Sequence, residues 1–158
     1  MPNRTQTIAA LPDPITPLTQ GDFEETLSDY LSDLSGKVGV AVRDIETGND
    51  LGYNASEIFP TASTLKVPLI YALYRRAEAG EIDLTERVTL SYTNRVPGSG
   101  VLQHMDEGLQ PTLRDLAELM IIVSDNWATD LLWNRLTKVT VDATLAEVGM
   151  GQTSLPYT

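Results

Sequence analysis

The sequence predicts an α+β domain made of one helix, one β-hairpin and then a run of helices. Apolar residues recur at helical spacing along much of the chain, valines alternate with polar or small neighbours in one stretch, and Gly or Pro punctuates the boundaries. Taken in order, residues 1–20 carry Pro2, Pro12, Pro14 and Pro17 without periodicity and read as an extended arm. Asp22 is expected to cap an amphipathic helix with Phe23, Leu27, Tyr30, Leu31 and Leu34 on one stripe, ended by Gly36. Val38, Val40 and Val42 alternate, Glu46 to Asp50 turn through Gly48, and a short return strand completes the hairpin. Phe59 to Ala79 reads as a helix stopped by Gly80, Val88 to Leu90 as a short strand, and "NRVPGSG" as a loop. Pro111 and the Thr112–Asp115 capping pair open a helix through Leu116, Leu119, Met120 and Val123 that ends near Ser124. Another spans about Asn126 to Leu136, and a last one Val141 to Val148 before Gly149. A two-stranded sheet is marginal by itself, so the chain looks short of strands.

Composition narrows the chemistry. The chain has 158 residues, 42% hydrophobic and 21% charged, enough to build a real core. A formal net charge of −11 argues against a nucleic-acid partner, because nothing could supply a row of phosphate contacts. Without cysteine there is no disulfide, thiolate zinc site or cysteine nucleophile. His104 is the single histidine, so no metal site and no cofactor is expected. The N-terminus lacks a basic start followed by an apolar run, and no signal peptide is read there. No stretch approaches the roughly 20 apolar residues that a membrane span needs. A soluble chain is expected.

Inside "FPTASTLKVPLIYALYRRAEAG", Ser63 and Lys66 lie three positions apart and so share one face of a helix. Pro68 sits where its missing N–H costs little only near a helix start, which puts Ser63 at the N-terminus. Unpaired N–H groups and the positive dipole end favour developing negative charge there. A serine hydroxyl needs a neighbouring base, and a lysine flanked by Leu65, Val67 and Leu69 can be desolvated enough to provide a neutral amine. A capping serine followed by a snorkelling lysine gives the same pattern without chemistry. Ser124-Asp125-Asn126, at the junction of two helices, is the second motif; these residues are also favoured caps and turn formers.

The two motifs together, with the surroundings "FPTASTLKVPL" and "LRDLAELMIIVSDNWATDLL", resemble the class A serine β-lactamases and related penicillin-recognising enzymes from about Leu27 to Gly151. The resemblance implies a β-lactamase/DD-peptidase-like fold, truncated, with residues 21–158 as the N-terminal part of a catalytic domain. It implies that Ser63 attacks the lactam carbonyl and is acylated, that Lys66 helps take its proton, and that Ser124 relays a proton to the lactam nitrogen. Asn126 would bind the substrate's amide side chain, Asp125 would orient the motif, and the Ser63 N–H would form half of an oxyanion hole. The implied partner is a small-molecule β-lactam or a cell-wall peptide, with a C-terminal companion segment completing the fold.

The sequence departs from that family in lacking Lys-Thr-Gly and the glutamate that activates the deacylating water; Glu147, the one glutamate after Asn126, lies in the last predicted helix. A penicillin-binding peptidase or esterase and a non-catalytic remnant of the same fold remain open alternatives. Relatives are usually exported, yet no export signal is read, and the compartment stays open. Ser99 in "PGSGV" lacks the flanking glycines of a nucleophile elbow, and Trp127 with Leu131 reads more simply as core packing than as a pocket floor.

Overall fold

The computed structural model describes residues 19–151 and residue 153, so the predicted arm over residues 1–20 lies almost wholly outside the described residues. The chain divides into two compact units, residues 1–59 and residues 60–158.

The first unit holds α1 (Gln20–Leu31), β1 (Val40–Arg43) and β2 (Asp50–Tyr53). Thr19 caps α1, one turn before the predicted Asp22. Its hydroxyl accepts from Asp22 N at 3.2 Å, while Asp22 takes the acidic position of a capping box. Phe23, Leu27 and Leu31 are half-buried along one stripe, whereas Tyr30 and Leu34 face solvent. β1 and β2 pair antiparallel, from Val40 opposite Tyr53 to Arg43 opposite Asp50. Between them Asp44 Oδ1 accepts from Glu46 N at 2.9 Å and Thr47 N at 3.1 Å, and Gly48 takes a φ of 73° that favours glycine. The hairpin is therefore shorter than the alternation from Val38 predicts. Gln20 stands in for a further strand: its side chain donates to Gly52 O at 2.6 Å and accepts from Gly52 N at 3.0 Å.

The second unit contains α2 (Lys66–Glu78), α3 (Leu113–Ile122), α4 (Asn126–Leu136) and α5 (Lys138–Glu147). The predicted helix from Phe59 starts later, as a 3-10 turn over Ala62–Leu65 that runs into α2. Pro60 explains the delay, because it biases Phe59 towards extended backbone. The predicted strand at Val88 to Leu90 is one isolated bridge, Arg87 opposite Thr112. Val88 N and Leu90 N donate to Pro111 O and Leu109 O at 3.0 and 2.9 Å, but Pro111 has no N–H to continue a ladder. The Thr112–Asp115 capping box forms as predicted, with Asp115 N donating to Thr112 Oγ1 at 3.0 Å. The last helix begins three residues before the predicted Val141. α4 packs against α2, α3 and α5. Leu69, Leu73, Leu116, Met120, Trp127, Leu132 and Leu145 fill the space between them, each at most 2% exposed. Each such side chain contributes about 1.5–3 kcal/mol by leaving water. Among the described residues no helix is long and apolar enough to cross a membrane.

Candidate active site

The site forms where the start of α2 meets the break between α3 and α4. Ser63 lies in the 3-10 turn, preceded by Ala62 at a φ of 43°, a left-handed conformation that costs a non-glycine residue about 1–2 kcal/mol. Lys66 opens α2 one turn later and is 4% exposed. Opposite them, α3 ends as Asp125 N folds back onto Leu119 O at 3.1 Å, and Ser124 takes a φ of 54°. Asp125 then caps α4, its Oδ1 accepting from Ala128 N at 3.0 Å.

The geometry brings four of the predicted residues together. Lys66 Nζ donates to Ser124 O at 2.7 Å, to Ser124 Oγ at 2.8 Å and to Asn126 Oδ1 at 3.1 Å. Ser63 Oγ lies 3.3 Å from Lys66 Nζ and 3.0 Å from Ser124 Oγ. Burial holds the Lys66 ammonium below its ordinary pKa, and the negative charge of Asp125 offsets part of that shift. Leu65 and Leu69 supply the predicted apolar flank, whereas Val67 faces solvent. An amine, two hydroxyls and an amide thus occupy one spot. Such a cluster can move a proton from Ser63 and return it through Ser124.

Asp125 stands behind this cluster, buried and fully occupied. Its Oδ2 accepts from Val101 N at 2.6 Å and Leu102 N at 2.8 Å, so three backbone donors compensate the buried carboxylate. The "PGSG" loop therefore clasps the second motif, a role sequence reading missed. Asn126 N donates to Ser99 O at 2.9 Å, and Ser99 Oγ donates to Val123 O at 3.2 Å. Gly98 and Gly100 leave no room for a side chain: a Cβ at Gly98 would meet Asn126 Nδ2 at 2.6 Å, and one at Gly100 the Asp125 carboxylate at 2.3 Å. Gln103 ties the loop to itself, donating to Gly98 O and, at 3.2 Å, to Gly100 O. The paired glycines were the available signal, since close backbone approach is one reason for glycine in a loop. His104 is exposed at the end of a short 3-10 turn, Leu102–His104. Trp127 is fully buried and Leu131 is 6% exposed, both in the core, which fits the packing reading.

The model of the β-lactamase enzyme family matches residues 22–157. β-Lactamase ROB-1 of Haemophilus influenzae is 33% identical over 141 residues, covering 85% of this chain and 45% of that protein. A β-lactamase structure from Sphaerobacter thermophilus superimposes with a TM-score of 0.77 at 35% identity, covering 89% of this chain and 52% of the other. An ancestral class A β-lactamase gives a TM-score of 0.77 at 31% identity, covering 85% and 52%. The chain spans about half the length of these relatives. The residues that gather at the tip of α2 therefore sit in a chain that belongs to the β-lactamase enzyme family, of the class A serine type.

Proposed function

We propose that residues 21–158 carry the acylating part of a class A β-lactamase-type serine hydrolase, opening a β-lactam through an acyl-serine intermediate. The observation that supports this best is the buried amine of Lys66 within reach of two serine hydroxyls, at 3.3 Å from Ser63 Oγ and 2.8 Å from Ser124 Oγ. Neutral Lys66 takes the Ser63 proton as Ser63 Oγ bonds to the lactam carbonyl carbon. The carbon–nitrogen bond of the ring then breaks, and the nitrogen takes a proton from Ser124 Oγ, which Lys66 replaces. Asn126 binds the substrate's amide side chain, and Asp125 acts through its hold on the 98–102 loop rather than by touching substrate. Hydrolysis of the acyl-serine requires an activated water, a step for which a C-terminal companion segment would supply the base.

Incubation with a fluorescent penicillin, followed by peptide mapping, tests the reading. The expected result is one covalent adduct on Ser63, absent in Ser63→Ala and retained in Ser99→Ala. An adduct that survives Ser63→Ala, or none in the wild-type chain, would count against Ser63 as the nucleophile.

A further inference from the structure

The side chain of Gln103 makes three hydrogen bonds, all of them to one loop. Its Oε1 accepts from Gly98 N at 3.3 Å, and its Nε2 donates to Gly98 O and, at 3.2 Å, to Gly100 O. One N–H needs an acceptor and two carbonyls need donors, a demand that a primary carboxamide meets and neither a carboxylate nor an apolar chain can. Gln103 projects from a fixed base, because its neighbour Leu102 is 2% exposed and Asp125 Oδ2 holds both Val101 N and Leu102 N. Ser99 is pinned from the other side, its O accepting from Asn126 N at 2.9 Å and its Oγ donating to Val123 O. Gly98 is left to Gln103: among the described residues its backbone bonds run to that side chain alone.

Gly98 is also the backbone that abuts Asn126. A Cβ there would lie 2.6 Å from Asn126 Nδ2, so the carboxamide has no room to swing towards the loop. On its other side Asn126 Oδ1 accepts from Lys66 Nζ at 3.1 Å. The carboxamide is held between an amine and a wedge of backbone, and only the wedge depends on Gln103. We propose that Gln103 is a positioning residue for Asn126, bracing Gly98 and Gly100 so that the Asn126 carboxamide keeps the orientation in which it meets a substrate. This rests on the reading that Asn126 binds the substrate's amide side chain, and adds the group that sets its pose. Lys66 keeps its bonds to Ser124 O and Ser124 Oγ whatever Asn126 does. Loosening the wedge should therefore weaken substrate binding and spare proton transfer from Ser63.

Gln103→Met, close to glutamine in length but without its hydrogen bonds, is compared with Gly108→Ala, which strains the backbone at a glycine with open space around it. Acylation is followed with two β-lactams: benzylpenicillin, which carries an amide side chain, and penicillanic acid, the same bicyclic nucleus without one. In Gln103→Met the dissociation constant preceding acylation should rise about tenfold for benzylpenicillin. Its maximal acylation rate should change by less than about threefold, and penicillanic acid should be unaffected. Gln103→Glu, which accepts from Gly98 N but donates to neither carbonyl, should behave alike, and Gly108→Ala should leave both substrates as in the wild type. In an Asn126→Ala background Gln103→Met should add nothing. An equal loss on both substrates, or a full loss on top of Asn126→Ala, makes Gln103 a structural tie only and overturns the proposal. A readout without substrate separates it from the functional reading. In proton–nitrogen NMR spectra the Asn126 carboxamide signals should shift in Gln103→Met and stay in place in Gly108→Ala. Should the wild-type chain form no adduct, the acylation reading falls and this shift decides the proposal; unmoved Asn126 signals overturn it.

Discussion

Lys66 combines two demands that pull in opposite directions. The burial that would make its amine available as the proposed base also penalises its charged form. Its folded pKa lies below the ordinary 10.5, so between the two values the unfolded chain binds more protons. Stability must then rise with pH across that window, and the penalty is largest below the lowered value. Lys66→Met lacks this term. The denaturant midpoint of the wild-type chain should gain on that of Lys66→Met as pH climbs from neutrality towards 10.5, and parallel curves would refute a depressed lysine. The rate of Ser63 acylation should climb over the same limb as the amine loses its proton. Lys66→Arg keeps the charge but cannot deprotonate, so acylation should fall by about 10²–10⁴-fold and lose that limb.

At the scale of elements, the cluster of Ser63, Lys66, Ser124 and Asn126 depends on a loop that supplies none of those four side chains. Gly100 has a φ of 108°, and a Cβ there would collide with the Asp125 carboxylate; Gly108 has a φ of 87° and open space around it. The two glycines separate backbone strain from steric collision. Gly108→Ala should cost about 1–2 kcal/mol from the left-handed backbone alone. Gly100→Ala adds about 1–3 kcal/mol of overpacking and should also slow acylation, since Asp125 leads directly into Asn126. Urea melts of both variants with the penicillin assay check this, and equal behaviour would mean that the loop is not clasped. The same contrast shows what the sequence made legible. Thr112 and Asp115 declare a helix start because a capping box is local chemistry, and Ser63 and Lys66 share a side because helix geometry is local too. The clasp between residues 98–103 and Asp125 joins segments more than twenty positions apart, so only "PGSG" hinted at it. The strand expected at Val88 failed for a related reason, as its would-be partner is the proline at position 111.

Across the whole molecule, the two units differ in how they are held. The second has a core of leucines together with Trp127, whereas α1 buries no residue fully and its hairpin has strands of four residues. A two-stranded sheet of that size is marginal without further strands or a packed face. Its free edge can be identified from the register. Gly52 turns its backbone groups outward to the Gln20 side chain, so Ala41, which sits opposite, and Arg43, two residues on, turn theirs to the outer edge of β1. Among the described residues no strand pairs with that edge. That unpaired edge of β1 is where a further strand would add. Hydrogen exchange should therefore find the amides of Ala41 and Arg43 exchanging at least about a hundredfold faster than those of Leu116–Met120 in the chain alone. In a fusion that adds, after Thr158, the part of the Sphaerobacter thermophilus β-lactamase this chain leaves uncovered, both amides should gain protection if a strand of the added part pairs with β1 and accepts from them. If they remain fast while the hairpin's other amides slow, the added half packs without extending the sheet, and β1 is a true edge.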